Sequence, residues 1–241
     1  VFLFSFNEET NIKIYELQTE MLENPEGIDA VYPRLSWKIS GKERGLKQTG
    51  YHVLVASSKE KLASNEGDLW DSGKINSSKS IWIRYNGERL ESRDKAYWKV
   101  KVWTSNGESS WSQPAYWSMG QLGYNDWSGR WIGMDRSFPW DNEGKFSRLS
   151  ARYFRKEYNL PKEISSARAY IIGLGLYELY INGHKIGDQV LAPAPTDYSK
   201  NVKYNTFDVT DELRKGNNAI GTVLGNGRYY TMRQSYKPYK I

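Results

Sequence analysis

The chain has 241 residues, of which 39% are hydrophobic and 26% charged, with 10 tryptophans, 18 tyrosines and no cysteine, which excludes disordered, collagen-like and disulfide-stabilised classes. Lysine and arginine exceed aspartate and glutamate by 34 to 28, but the signs alternate along the chain, so no nucleic-acid-binding stripe is predicted. The lack of cysteine and the presence of only two histidines exclude thiol chemistry and multi-histidine metal sites.

Residues 1–11 begin with Val1-Phe2-Leu3-Phe4 and are predicted to be an N-terminal segment, either the remnant of a signal peptide or a first strand. A signal peptide would place the protein in the periplasm or outside the cell. No apolar run reaches the roughly 18 residues that a membrane-spanning helix needs, so no membrane span is predicted.

Short runs that alternate hydrophobic and polar residues recur along the chain, which is typical of β-strands. In residues 97–103, Trp98, Val100 and Val102 lie on one face and Lys99 and Lys101 on the other, so the sequence predicts a half-buried strand. Similar runs occupy 34–39, 51–56 and 81–85. Several such strands within about 100 residues predict a fibronectin III- or immunoglobulin-like sandwich over residues 12–118.

Residues 119–130 are rich in glycine, asparagine, aspartate and serine, and predict a surface linker. Asn182-Gly183 lies between two alternating runs and predicts a two-residue hairpin, because both turn positions need a positive φ. Strands are also expected at 204–210 and 218–224, joined by a helical turn. The predicted fold is therefore all-β, with a second, jelly-roll-like sandwich over residues 131–241.

Several stretches together resemble one enzyme family. Residues 24–29, 33–37 (Pro-Arg-Leu-Ser-Trp) and 44–73, continued by 97–103 and 110–112, resemble the fibronectin-type domain that opens bacterial α-L-rhamnosidases. Residues 127–133 are similar to the family's entry into its second domain. Residues 173–183 and 187–213 resemble its N-terminal β-sandwich, which is thought to assist substrate recognition. The resemblance covers about 12–230.

The resemblance implies a catalytic (α/α) barrel downstream, where a carboxylate pair inverts the anomeric centre, and this chain leaves no room for it. It also implies further strands after 225–230, which residues 231–241 do not resemble. The second sandwich is therefore expected to be incomplete. Its open edge predicts a homo-oligomer or a second polypeptide that completes the sheet.

Loop residues outside the alternating runs are the candidate sugar contacts, because aromatic rings pack against sugar C–H groups and loops commonly carry binding residues. They are Trp140, Asp141, Asn142, Pro195, Asp197, Asn226 and Tyr229. Asp141 and Asn142 are adjacent oxygen donors of the kind that calcium takes, and the resemblance implies calcium in some rhamnose-binding modules. The plainer interpretation of Asp141-Asn142 and of 195–197 is turn formation.

Other conspicuous residues are expected to be structural. Trp37 and Trp98 are expected in the core, and Trp82 and Trp131 are expected to pack within or between domains. Glu178 is the only acid inside a strongly patterned apolar stretch, and it is expected to face solvent.

The sequence therefore predicts the non-catalytic N-terminal part of an α-L-rhamnosidase, an inverting glycoside hydrolase that releases terminal α-L-rhamnose. Its expected partners are a rhamnose-containing glycan and the downstream barrel, with no nucleic acid and with calcium as the one candidate ion. Two other functions stay open, namely a stand-alone extracellular carbohydrate-binding protein and an adhesin. A barrel encoded downstream favours the first function, and a stop codon after Ile241 favours the others.

Overall fold

The computed structural model describes residues 12–134, 139 and 150–229. The chain divides into two compact units, Val1–Ser128 and Gly129–Ile241. Strands dominate both units, and the only α-helix in the described residues has five residues, so the expected all-β class is confirmed. No helix within these described ranges is long and apolar enough to cross a membrane.

The first unit is a sandwich of two antiparallel sheets. One sheet has the order β1-β2-β5, and the other has the order β4-β3-β6-β7, with β8 also paired to β6. The elements are β1 Lys13–Thr19, β2 Arg34–Ser40, β3 Gln48–Ala56, α1 Lys59–Ala63, β4 Trp70–Asp71, β5 Ile83–Arg84, β6 Lys95–Thr104, β7 Gly107–Glu108 and β8 Ala115–Ser118.

The core of the first unit lies between the inward faces of its two sheets. Leu35 and Trp37 come from one sheet, and Val53, Trp98 and Val100 from the other, and all five are fully or almost fully buried. The alternation in β2 and β6 therefore predicts the buried faces correctly. Burial of these large apolar side chains is the main stabilising contribution to this unit.

The face of β6 that carries Lys99 is buried at that residue, although the sequence predicts that it faces solvent. Lys99 is only 7% exposed, and its Nζ donates to Leu62 O and to Asn65 Oδ1, both at 2.6 Å. The reason is α1, which packs over this face and is capped by Ser58, whose Oγ accepts from Lys61 N. Burial lowers the pKa of Lys99.

The predicted strand at 81–85 is shorter in the structure. Only Ile83 and Arg84 pair with β2, because Trp82 has a φ of +56° and interrupts the extended backbone. The side chain of Trp82 is 61% exposed. The expectation that Trp82 packs within the first domain is therefore wrong.

The first part of the predicted linker belongs to the first unit. Met119 is fully buried in its core, and Met119 N donates to Asp94 O. Gly120 N donates to Ile28 O, and Leu122 packs against the same core. A glycine-rich composition suggested a solvated connection, but long-range packing holds residues 119–122 in place.

The second unit contains a four-stranded antiparallel sheet of the order β12-β11-β14-β9 and a two-stranded sheet, β10-β13. Its core is built from side chains on the inward faces of both sheets, among them Leu179, Ile181 and Phe207. The strands are β9 Arg152–Leu160, β10 Arg168–Ile172, β11 Leu176–Ile181, β12 His184–Ile186, β13 Tyr204–Asp208 and β14 Gly216–Gly225.

The hairpin predicted at Asn182-Gly183 joins β11 to β12. Asn182 has a φ of +50° and Gly183 a φ of +91°, as a two-residue hairpin turn requires. The expected helical turn before β14 is a 3₁₀ turn at Thr210–Glu212.

Candidate functional site

A polar groove lies at one end of the four-stranded sheet of the second unit, with a volume of about 690 Å³. It is formed where the second half of β9, the β11–β12 hairpin and the start of β14 come together. The lining side chains are mostly amides and charged groups: Arg155, Glu157, Tyr158, Asn159, Asn182, Gly183, Arg214, Asn217, Asn218 and Ala219.

The floor of the groove is a pair of asparagine amides whose hydrogen bonds are all used. Asn182 Nδ2 donates to Glu212 O at 2.8 Å and to Asn218 Oδ1 at 2.9 Å, while Asn182 Oδ1 accepts from Ala219 N. Asn218 Nδ2 donates to Arg214 O at 2.6 Å and to Gly216 O at 3.0 Å. Because these bonds tie the hairpin to the start of β14, the floor is a preformed surface.

The rim of the groove carries polar groups with spare hydrogen-bonding capacity. Arg155 and Glu157 lie on one face of β9 and form an exposed ion pair at 2.6 Å. Arg214 Nε donates to Asn217 O at 3.3 Å, and within the described residues Arg214 has no carboxylate partner. Guanidinium donors, amide groups and a carboxylate within one groove can bind a ligand rich in hydroxyl groups.

One tyrosine adds an aromatic side chain to this groove. Tyr158 pairs with Asn218 across the sheet and is half-buried. Burial raises the pKa of the Tyr158 hydroxyl, so this group stays a protonated donor at neutral pH.

Two of the loops that the sequence predicts as sugar contacts meet at the opposite end of the same sheet. The ring of Tyr198 contacts that of Tyr229 edge-on, with centroids 5.5 Å apart and an interplanar angle of 87°. Tyr198 belongs to the loop that holds Pro195 and Asp197, and Tyr229 follows β14 and Asn226. The structure therefore brings these two candidate segments together.

Asp197 uses its carboxylate to close its own turn. Asp197 Oδ1 accepts from Ser199 Oγ at 2.6 Å and from Ser199 N at 3.2 Å, and Asp197 Oδ2 pairs with Lys200 Nζ at 3.2 Å. These contacts, chiefly the bond from the Ser199 hydroxyl, lower the pKa of Asp197. Turn formation therefore accounts for Asp197, as the plainer interpretation of this loop holds.

The remaining candidates, Trp140, Asp141 and Asn142, lie outside the described residues. In the part of the chain that the structure describes, no group of three or more histidine, cysteine, aspartate or glutamate side chains could hold a metal ion. The calcium site at Asp141 and Asn142 stays a prediction.

Glu178 faces solvent, as expected. Its carboxylate accepts from Lys185 Nζ at 2.5 Å and from the Tyr180 hydroxyl at 2.7 Å. Both bonds, the one from Lys185 first, lower the pKa of Glu178. A general acid in glycoside hydrolysis needs a raised pKa, whereas these two bonds stabilise the ionised form of Glu178.

The polar groove is not predictable from local sequence patterns, because its residues come from segments about 60 positions apart. The local signals were the Asn182-Gly183 turn and the adjacent pair Asn217-Asn218 at the start of a strand. Neither signal shows that β9 lies beside β14, which is what places Arg155 and Glu157 at the rim.

Comparison with known proteins identifies two families along the chain. Residues 14–123 match the Rha78A-like N-terminal immunoglobulin domain, and residues 162–240 match the α-L-rhamnosidase N-terminal domain. The immunoglobulin-like first domain and the rhamnosidase-type second domain that the sequence predicts are thereby confirmed. The expectation that the family resemblance ends at about residue 230 is wrong, because the second match continues to residue 240.

Curated relatives carry the name α-L-rhamnosidase. One from Formosa agariphila is 41% identical over 248 residues, and the match covers 95% of this chain and 26% of that protein. One from Alteromonas sp. is 35% identical, with 86% of this chain and 23% of the relative covered. The chain thus spans about a quarter of the length of the relatives it matches.

Solved structures show the same relationship. The α-L-rhamnosidase from Dictyoglumus thermophilum has a TM-score of 0.82 and 42% identity, over 90% of this chain and 25% of that one. The enzyme from Aspergillus terreus has a TM-score of 0.77 and 29% identity, over 94% of this chain and 25% of that one.

Proposed function

We propose that this chain, which belongs to the N-terminal region of the α-L-rhamnosidases, is the non-catalytic part of such an enzyme. In this role it assists recognition of a rhamnose-containing glycan and supports a catalytic (α/α) barrel that follows in the same polypeptide. The observation that carries the proposal is the match of two consecutive rhamnosidase domain families to a chain spanning about a quarter of its relatives.

The electrostatics of the described residues support a non-catalytic role. Inverting hydrolysis needs one carboxylic acid with a raised pKa and a second carboxylate about 6.5–9.5 Å away. Among the described carboxyl groups, these have a lowered pKa: Glu20, Glu60, Asp68, Asp71, Glu108, Asp126, Glu178 and Asp197. We assign the hydrolytic carboxylates to the barrel because the chain matches the N-terminal domains of the family.

The polar groove of the second unit is the sugar contact we propose within this region. The Arg214 guanidinium and the Asn217 amide can donate to sugar hydroxyls, and Glu157 can accept from them. A monosaccharide offers few atoms for contact, so binding to the isolated chain is expected to be weak. The predicted contacts at Trp140, Asp141 and Asn142, and the calcium ion between the last two, are kept as a second, separate proposal, as is a periplasmic or extracellular location.

The catalytic half of the proposal is tested with an aryl α-L-rhamnoside. The 241-residue chain is expected to give no turnover above a buffer blank, and the same chain extended through the downstream barrel is expected to hydrolyse the substrate. Turnover by the isolated chain that survives repurification, or an extended protein without activity, would overturn the assignment.

The recognition half is tested by titrating the chain with L-rhamnose and following chemical shifts by NMR. We expect shifts at the groove that are lost in Arg214→Ala and kept in Lys215→Ala, an exposed basic residue next in sequence that does not line the groove. Equal shifts in the two variants would remove the groove as the sugar contact and leave the hydrolysis test unaffected.

A further inference from the structure

An exposed surface of aromatic and arginine side chains lies on the first unit, whereas the groove described above belongs to the second unit. We define the Trp82 platform as Tyr32, Arg34, Ile81, Trp82 and Arg84. Trp82 is 61% exposed, Ile81 60% and Tyr32 41%. These are large side chains to leave in water, and exposed aromatic side chains with arginine beside them are typical of binding surfaces.

The backbone of the platform is held from both sides although its conformation is strained. A φ of +56° is unfavourable for a bulky residue such as Trp82, and strain of this kind persists only where the surroundings enforce it. Trp82 N donates to Ser36 Oγ at 3.1 Å, and Ser80 O accepts from Trp37 N at 2.9 Å. Immediately after Trp82, Ile83 pairs with Leu35. The buried strand β2 therefore fixes the exposed indole in place.

Two arginines order the rings of the platform. Arg34 Cζ lies 5.7 Å from the centroid of the Trp82 ring, and Arg84 Cζ lies 4.9 Å from that of Tyr32. Arg34 and Arg84 are directly opposite each other on β2 and β5, so they bring the two aromatic residues to the same sheet. Contacts between a guanidinium group and an aromatic face are attractive and restrict both side chains.

The two arginines differ in whether they form an ion pair. Arg34 Nε and Nη2 donate to the carboxylate of Glu20, with the shortest contact at 2.6 Å, and Arg34 is thereby neutralised and positioned. Arg84 has no carboxylate partner among the described residues and keeps hydrogen-bond donors free. The platform therefore combines two ordered rings with one guanidinium group that can bind an additional acceptor.

We propose that the Trp82 platform binds a glycan chain, as a carbohydrate site distinct from the groove of the second unit. The Trp82 and Tyr32 rings pack against the C–H faces of sugar residues, and the free donors of Arg84 bond to sugar oxygens. An open sheet face, unlike a closed pocket, can contact successive sugar residues of a glycan and binds a single sugar only weakly. The proposal rests on the proposed function, because the glycan that it names is the rhamnose-containing glycan which that function assigns to this region.

The test is affinity electrophoresis of the 241-residue chain in gels containing a soluble α-L-rhamnan, with free L-rhamnose as a competitor. We expect the polymer to retard the chain and Trp82→Ala to weaken retardation at least tenfold, with a smaller loss in Arg84→Ala. The matched control is Trp131→Ala, which removes an equally exposed indole (64%) outside the platform. Thermal unfolding of each variant establishes that it is folded.

Each outcome decides the proposal. Equal retardation of Trp82→Ala and Trp131→Ala would overturn it, as would a wild-type chain that the polymer does not retard. A change of sedimentation coefficient in Trp82→Ala without loss of retardation would assign the platform to self-association and overturn the glycan site. Because hydrolysis of an aryl α-L-rhamnoside by the extended protein does not need the platform, failure here leaves the proposed function standing.

Discussion

The Asp68 carboxylate links α1 to the end of β3 by hydrogen bonds. Substitution of Asp68 is the change whose effect on the free energy of unfolding the structure defines best. Asp68 Oδ1 accepts from Ser57 N at 2.9 Å, and Asp68 Oδ2 accepts from Ser57 Oγ and Lys61 Nζ, both at 2.6 Å. The carboxylate is 21% exposed. Burial alone would raise its pKa, but the bonds from Lys61 and Ser57 outweigh burial and lower the pKa from 3.8 to about 2.

The lowered pKa sets both the size and the pH range of the effect. Each tenfold shift in a protonation equilibrium corresponds to about 1.4 kcal/mol, so the ionised Asp68 contributes about 2 kcal/mol to the free energy of unfolding. Since the folded protein binds this proton more weakly than the unfolded chain, the contribution is complete above pH 4. It is lost as the pH falls from about 4 to about 2.

The variant Asp68→Asn keeps the side-chain volume and removes the charge. We expect urea unfolding, followed by tryptophan fluorescence, to show a loss of about 2 kcal/mol at pH 7, and the difference from wild type to shrink to nearly zero by pH 2. The control is Asp29→Asn, because the Asp29 carboxylate is exposed and has no hydrogen bond in the described structure. This substitution should leave the free energy of unfolding unchanged at every pH. A difference between Asp68→Asn and wild type that stays constant from pH 7 to pH 2 would refute the reasoning.

Three further predictions concern the second unit. A Cβ at Gly175 would lie 2.3 Å from Gly225 O, so Gly175→Ala should lower the free energy of unfolding by about 1–3 kcal/mol, whereas Gly221→Ala, with its nearest atoms at 3.8 Å, should be nearly neutral; similar urea midpoints for the two variants would contradict this. Asn218→Ala removes the amide that donates to the carbonyls of Arg214 and Gly216, so it should lower the free energy of unfolding by about 1–3 kcal/mol. The exposed control Asn217→Ala should lower it by less than about 0.5 kcal/mol, and thermal unfolding measures both. If Asp141 and Asn142 hold calcium, added calcium should raise Tm, a chelator should reverse the rise, and Asp141→Ala should abolish it. A Tm that does not change with added calcium would contradict this prediction.

The features that the sequence predicts well depend on local patterns. Alternation identifies the buried face of β6, and the positive-φ requirement identifies the hairpin at Asn182-Gly183, because each is determined by residues adjacent along the chain. The burial of Lys99 could not be predicted in this way, since it depends on α1, which lies about 35 residues earlier. The exposure of Trp82 likewise depends on hydrogen bonds to Ser36 and Trp37, about 45 residues away.

The candidate site follows the same division. Residues 195–197 predict a turn from local chemistry, and in the structure the Asp197 carboxylate closes a turn by accepting from Ser199. The groove depends on the pairing of β9 with β14 and on the amide bonds between Asn182 and Asn218, which no local pattern contains. A strand's polar residues can be recognised from sequence, but the partner strand that turns them into a binding surface cannot.

The burial of Met119 bears on where this protein can be cut into modules. A fragment that stops at Ser118, the last residue of β8, would lack the side chain that fills the core beside Trp117, and would leave Asp94 O and Ile28 O without their donors. A recombinant first domain should therefore extend through Asp126, whose backbone and carboxylate bond to Arg93 and Ser92. The same holds for natural exchange of domains between genes. A crossover between positions 119 and 122 would transfer an incomplete core, whereas one at 127 or 128 would transfer the core together with the bonds of Asp126.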